Sequence, residues 1–394
     1  MKLTRRSFLR ASAFAAFVPP VFGRAALGAA ARRAGRDQTV LVVVELCGGN
    51  DGLNCVVPYA DDEYARSRFT LRLAARQVLK INDQLGFHPA MAEWKRLFDE
   101  GFASVVQGVG YPQSSRNHPE AVRDWHTARP GDAHWPTGWI GQIADQLTAR
   151  DAAAVPVALI QPVTHPVALI AERAILPSVR KIEDTPLSDL APRPAACNPL
   201  LEYVWRTGEV AREHERAVRA AASRAGVYPA TPFGRALQIA ASLIRADVGF
   251  RVLYVELGGG DIGGFDNHAG QKDNHAALLR QFSGGVAALV TDLRRDGLAE
   301  RVLLMTISEF GRTLAENGRR GTDHGAAAPM FLAGGRLRPG LIGAPPDLRS
   351  LDNGAPRPHT DFRRVYATVL DRWLGVDSQA ILGEKFEWLD LFRV

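Results

Sequence analysis

An α/β fold built on a doubly wound, mainly parallel sheet is what this 394-residue sequence predicts. Three observations carry the prediction. Apolar, β-branched runs recur along the chain, and amphipathic helical patterns separate them. The runs lack apolar/polar alternation, so they read as strands buried on both faces. Several end abruptly in glycines and acids, as strands of open α/β sheets do where their carboxyl ends meet a ligand crevice.

Residues 1–31 read as an address rather than part of that domain. Thr4-Arg5-Arg6-Ser7-Phe8-Leu9-Arg10 is followed by an apolar stretch, Ala11 to Phe22, and then by small residues, Ala25 to Ala31. Charged, apolar, small is the order of an export signal, and the paired arginines before Phe8-Leu9 look like the twin-arginine type. The apolar stretch is broken by Pro19-Pro20 and is too short for a permanent membrane span. The expectation is a periplasmic or secreted protein that meets the twin-arginine translocation machinery. The segment holds five bases and no acid, so the chain's +6 charge falls to +1 without it. No dense basic run interleaved with aromatics remains, which argues against nucleic acid as a partner.

Residues 32–37 read as a polar linker, and 38–394 as one domain of ordinary composition, 46% of the chain being hydrophobic and 23% charged. The first predicted strand is Val40–Leu46. A helix near Pro89 to Glu100 sets Met91, Trp94, Leu97 and Phe98 on one face. Strands follow over Ala103–Val109, Pro156–Gln161, Arg251–Leu257, Arg301–Ile307 and Met330–Ala333. Long amphipathic helices are expected over Leu200–Ala225, Phe233–Ala246 and Ala269–Arg295, with a closing helix over Asp361–Leu374. The Pro- and Ala-rich residues 184–199 read as a surface connection. Cys47, Cys55 and Cys197 are an odd set without metal-type spacing. Cys47 and Cys55 either pair across a short loop in an oxidising compartment or remain buried thiols.

The chemistry gathers at strand ends. The first strand runs into Cys47-Gly48-Gly49-Asn50-Asp51-Gly52. The strand over Arg251–Leu257 runs into a glycine-rich loop ending Phe265-Asp266-Asn267-His268. The strand over Arg301–Ile307 runs into Ser308-Glu309-Phe310-Gly311-Arg312, with Gly321-Thr322-Asp323-His324-Gly325 close behind. A fourth cluster, Ser114-Ser115-Arg116-Asn117-His118 with Asp124 and His126, follows Ala103–Val109. Each has a structural explanation as well. Asp51 could order its turn, Glu309 could cap a helix, Asp323-His324 could form a hydrogen-bonded turn, and Arg312 could be a surface base. Taken together, acids and histidines on separate strand ends suit one or two divalent cations of the zinc, manganese, magnesium or calcium type. Two such cations could clamp both oxygens of an ester displacement. The glycine run 258–264 is interrupted by Asp261 and misses the dinucleotide fingerprint. A Walker-type lysine and a Gly-x-Ser-x-Gly elbow are both missing, so nucleotide-triphosphate and lipase chemistry drop out with the nicotinamide reading.

Gly-Gly-Asn-Asp-Gly after the first strand, Phe-Asp-Asn-His, Ser-Glu-Phe-Gly-Arg, Gly-Thr-Asp-His-Gly and the late His359-Thr360-Asp361-Phe362-Arg363 resemble the domain-of-unknown-function 1501 (DUF1501) family across most of 38–390. That family is grouped with alkaline phosphatases and sulfatases. The resemblance implies a doubly wound sheet and a one- or two-metal esterase site. It carries Asp51, Asp266, His268, Glu309, Asp323 and His324 over as metal ligands, with Phe310 standing where the superfamily usually has a histidine. It implies Ser114 or Ser115 as nucleophile, or else a metal-bound water, with Arg116 and His118 steadying charge. Asn117 stands where related sequences have a serine. The expectation is an exported metal-dependent hydrolase of phosphate or sulfate esters; the alternative is a secreted, non-catalytic binding or assembly protein on the same fold.

Overall fold

The structure, a computed structural model, describes residues 38–151, 154–161, 165–182, 216–258 and 263–393. The predicted export signal, the linker, the 184–199 connection, Cys197 and most of the 200–225 helix lie outside the described residues.

Among the described residues the central sheet has nine strands: β1 (Val40–Leu46), β2 (Ala103–Gly110), β3 (Val157–Ile160), β4 (Ser178–Val179), β5 (Val252–Leu257), β6 (Val302–Ile307), β7 (Ala328–Gly334), β8 (Gly340–Ile342) and β9 (Thr360–Asp361). Their order is β8-β2-β7-β6-β1-β5-β3-β4, with β9 beside β2. β1 lies parallel between β5 and β6. Only β7 runs against its neighbours, antiparallel to both β6 and β2. The sheet is therefore mainly parallel, and the carboxyl ends of β1, β2, β5 and β6 share one edge.

The apolar runs become central strands because helices cover both faces. Val42 and Val44 of β1 face one core with α1 (Ala92–Asp99), α4 (Pro232–Ala246) and α5 (Gln271–Arg295). Leu41 and Val43 face the other core, with α2 (His118–Thr127), α3 (Trp139–Arg150) and α6 (Phe362–Thr368). Every residue of β1 is buried. That removes any pressure for the polar alternation of a one-sided strand. The predicted strands agree with the observed ones to within about two residues at each end, the scatter normal for element ends.

The helices diverge more. The expected 89–100 helix divides into a 3-10 turn, Pro89–Met91, and α1. The closing helix changes at Val369 into a π-helical segment ending at Leu374. Helices α2 and α3 were not predicted. Cys47 and Cys55 are both free thiols, which resolves the choice between pairing and burial; burial is the main reason both thiol pKa values lie above the ordinary range. No helix among the described residues is long and apolar enough to cross a membrane.

Candidate metal centre

The loops after β1, β2, β5 and β6 converge at the shared sheet edge, and Arg312 holds three of them together. Its guanidinium is fully buried and donates to the carbonyls of Gly48, Gly49, Phe265 and Thr322 and to the Asp266 carboxylate. Far from being a surface base, it is the stitch of the site. Gly49 has to be glycine for this to work. It has φ +77°, and a Cβ there would come within 2.2 Å of the Phe310 ring, a conformation and a closeness that only glycine tolerates.

Three imidazoles point one nitrogen each at Asp266. His268 Nε2 lies 3.1 Å and His324 Nε2 3.2 Å from Asp266 Oδ1, while His118 Nε2 lies 3.4 Å from Oδ2. The opposite nitrogen of each ring has its own partner. His324 Nδ1 lies 2.7 Å from the carbonyl oxygen of Arg116, an atom that only accepts, so the proton sits on Nδ1. His268 Nδ1 faces Asp323 Oδ1 at 3.1 Å, and His118 Nδ1 faces Glu309 Oε1 at 3.0 Å. Carboxylates likewise call for N–H on Nδ1. His268 and His118 each lie between two carboxylates, Asp266 at Nε2 and Asp323 or Glu309 at Nδ1; with the proton on Nδ1 of each neutral ring, the three Nε2 lone pairs converge.

Two of those nitrogens, on His268 and His324, stand only 2.8 Å apart. Lone pairs at that separation repel unless a proton or a cation lies between them. Burial is the main reason the His324 pKa lies below the ordinary histidine value, and the Arg312 charge acts in the same direction. A proton is thus disfavoured on His324 itself near neutrality. The donor set fits a divalent cation instead. His118, Asp266 and His324 each offer an atom within 4.8 Å of the others, with His268 alongside. Imidazoles whose remote N–H is held by a carboxylate or carbonyl are the usual arrangement around a bound metal. Burial tends to raise the Asp266 pKa, but Arg312 outweighs it and keeps the carboxyl below its ordinary range, hence ionised.

The sequence-predicted residues fall into three groups. Asp266, His268 and His324 come together. His118, expected to steady charge, joins them and offers a ligand nitrogen. Glu309 and Asp323 hold the far nitrogens of the rings instead: Glu309 accepts the Gly48 N–H (2.9 Å) beside its His118 contact, and Asp323 accepts from Asn317 as well as facing His268.

Asp51 is not brought into the cluster. Its carboxylate is buried and takes two contacts from Arg68, at 2.6 and 2.9 Å, while Gln271 supplies another donor. Arg68 is fully buried and continues to the carbonyls of Thr313 and Leu314. This ion pair clamps the Arg312–Glu316 strand of the hairpin that ends in His324. Arg68 was not singled out from the sequence, and no local motif there would have marked it.

The serines are also elsewhere engaged. Ser115 Oγ donates to Glu120 (2.7 Å) and accepts the Asn117 N–H (3.1 Å) at the start of α2. Arg116 is drawn to the turn at 352–353, donating to both carbonyls there and to the Asp352 carboxylate. Among the described residues, neither the Ser114 nor the Ser115 hydroxyl has a hydrogen bond to the histidine cluster. Asp124 accepts from Tyr111 and from the Gly131 N–H, and His126 faces the buried Glu45. Phe310 closes the inner wall, its ring centroid 4.9 Å from that of His118 and 4.5 Å from that of His324.

The sequence profile of the family described as "Protein of unknown function (DUF1501)" matches residues 38–384. No curated protein matches the chain. Similar solved structures include a protein in the alkaline phosphatase superfamily from Vibrio parahaemolyticus (10% identity, 93% of this chain and 77% of that one, TM-score 0.41). Others are a phosphonate monoester hydrolase from Silicibacter pomeroyi (11%, 89% and 78%, TM-score 0.41) and a lipoteichoic acid synthase from Listeria monocytogenes (12%, 94% and 76%, TM-score 0.39). At such scores no residue role or activity transfers from them.

Proposed function

This chain belongs to the DUF1501 family, and we propose that it is an exported, metal-dependent hydrolase of phosphate or sulfate esters. One observation carries the reading: three Nε2 atoms converge on the ionised Asp266, and each opposite Nδ1 faces a carboxylate or carbonyl oxygen that can hold its N–H. A divalent cation held there supplies a Lewis acid that polarises an ester oxygen. The chain's own groups do the rest. Glu309, Asp323 and the Arg116 carbonyl fix the tautomers and orient the rings. Arg312 keeps Asp266 ionised and in place. Phe310 excludes water from the inner side of the cluster, which strengthens every charge interaction there. His118 leans towards holding a proton, because its hydrogen bond to Glu309 raises its pKa against the effect of burial. When not engaged by a cation it can therefore donate a proton at Nε2 towards a leaving group.

The test is direct. Purified full-length protein is loaded with each candidate cation, metal content is measured, and aryl phosphate and aryl sulfate are offered as substrates. Expected are stoichiometric metal and hydrolysis that His324→Ala abolishes. Protein that takes up no divalent cation at any concentration sinks the proposal.

A second reading has its own support. Arg116, the expected holder of an anion, is committed to the 352–353 turn, and Ser115 to Glu120. Metal uptake without turnover of either ester class would favour a secreted binding or assembly protein over the hydrolase. Export through the twin-arginine machinery rests on Arg5-Arg6. The double change Arg5→Lys with Arg6→Lys should leave the protein in the cytoplasmic fraction, and unchanged export would reject that route.

A further inference from the structure

We propose a second binding site, for a single-tailed anionic amphiphile, in the cavity between the first half of α5 and the segment 70–93. The cavity has a volume of about 800 Å³, within the range that encloses a small organic ligand. None of the four residues of the histidine cluster lines it. Gln271 does, and its side chain reaches Asp51 and Thr322. The cavity thus borders the network beneath the hairpin rather than the metal centre.

Its wall is largely apolar, with Leu71, Leu73, Pro89, Pro229, Ala276 and Ala277. The polar groups on its floor are engaged or uncharged. Ser283 Oγ accepts the Trp94 N–H at 2.8 Å. His275 Nε2 faces Asn50 Oδ1 at 3.0 Å, and His88 Nδ1 accepts the Ala90 N–H at 3.0 Å. Burial keeps both rings neutral, lowering His275 to about 3 and His88 to about 4. A neutral, apolar interior suits an alkyl chain.

The mouth has the opposite character. Arg72, Lys272 and Arg280 line it, are exposed, and have no ion-pair partner among the described residues. Of the two acids there, Asp273 and Glu93, the latter is taken by Arg96 at 3.4 Å. The mouth is therefore net positive. Two exposed apolar side chains neighbour lining residues along the chain: Phe69, 78% exposed, precedes Thr70, and Val227, 96% exposed, stands two residues before Pro229. An alkyl tail inside and a phosphate or carboxylate head among the three cations satisfies both halves.

Isothermal titration of the full chain with dodecyl phosphate, below its micelle concentration, tests the site. Expected is one saturable site, with dodecanol and inorganic phosphate each at least about tenfold weaker, since each lacks one half of the match. Ala276→Phe, which fills the cavity, and Arg280→Glu, which reverses a mouth charge, should each weaken dodecyl phosphate about tenfold. Their thermal unfolding midpoints report whether each variant is folded. Absence of saturable binding overturns the proposal, as does binding that neither variant weakens. If Ala276→Phe fails to fold, Arg280→Glu at its exposed position decides alone.

Discussion

Two acidic strand ends lie side by side at this sheet edge and have opposite electrostatic fates. After β1, Asp51 is buried and completely compensated: Arg68 contacts both its oxygens, and Gln271 adds a further donor. After β5, Asp266 is half exposed and meets one guanidinium nitrogen and three imidazole nitrogens. The first arrangement has no coordination to offer, because a carboxylate closed by a bidentate arginine is satisfied. The second sets imidazole nitrogens 2.8 Å apart beside a carboxylate, a donor set that a cation satisfies. Burial and acidity alone do not distinguish a ligand from a clamp; the protonation state of the partners does.

The largest effect should come from breaking the clamp. Arg68→Met strands the buried Asp51 charge, and unfolding by urea should show a loss of about 3–5 kcal/mol. Adding Asp51→Asn to that variant should restore part of it. A loss under about 1 kcal/mol would mean the pair is not what holds the hairpin.

His324→Ala should do the reverse. Stability should stay within about 1 kcal/mol of the parent, while divalent-metal affinity falls by more than about a hundredfold, beyond the range of changes to groups that only hold a ligand's far nitrogen. Calorimetric metal titration reads the second quantity. Retention of full affinity would remove His324 from the ligand set.

Smaller than either should be the effects of Glu309→Gln and Asp323→Asn, which keep shape but weaken the hold on His118 and His268. Each should lower metal affinity by about 10–100-fold without abolishing it. If either abolishes binding outright, that carboxylate is itself a ligand.

The clamp should also have a pH signature. Burial on its own raises the Asp51 pKa, yet Arg68 outweighs it and the folded-state value lies below the ordinary range. The stabilisation is therefore present above the unfolded-state pKa of about 3.9, and it is lost as pH falls through the lower folded value. Asp51→Asn should flatten the acid limb of the stability curve; an unchanged limb would assign that limb to other carboxylates.

The smallest effect belongs to Ser115→Ala. Losing the bond to the Asn117 N–H, just ahead of α2, should cost about 1 kcal/mol, as for an ordinary hydrogen bond, and leave ester turnover unchanged. Abolished turnover with metal still bound would instead make Ser115 the nucleophile.

The strands were legible because their signal is local. Val40–Leu46 is a continuous apolar run whose burial on both faces follows from its composition, and its observed limits coincide with the expected ones. Helices α2 and α3 escaped notice for a local reason too. α2 is only ten residues long and buries Asp124, His126 and Thr127 beside Ala121 and Trp125, which blurs its apolar stripe, and Gly141 interrupts that of α3. At the site, Asp266, His268 and His324 were found from their glycine-flanked turns. Arg68 and the second role of His118 had no such flag.

By itself the sequence determined the family, the α/β layering and the edge of the sheet where acids and histidines collect. Those depend on patterns within a dozen residues, where apolar periodicity and turn chemistry operate. Only the tertiary structure decided which acid is neutralised and which is left facing lone pairs. Glu309 finds His118 across 191 residues, and His268 finds His324 across 56. Compensation of charge falls off over a few ångströms in space, and separation along the chain carries no record of it.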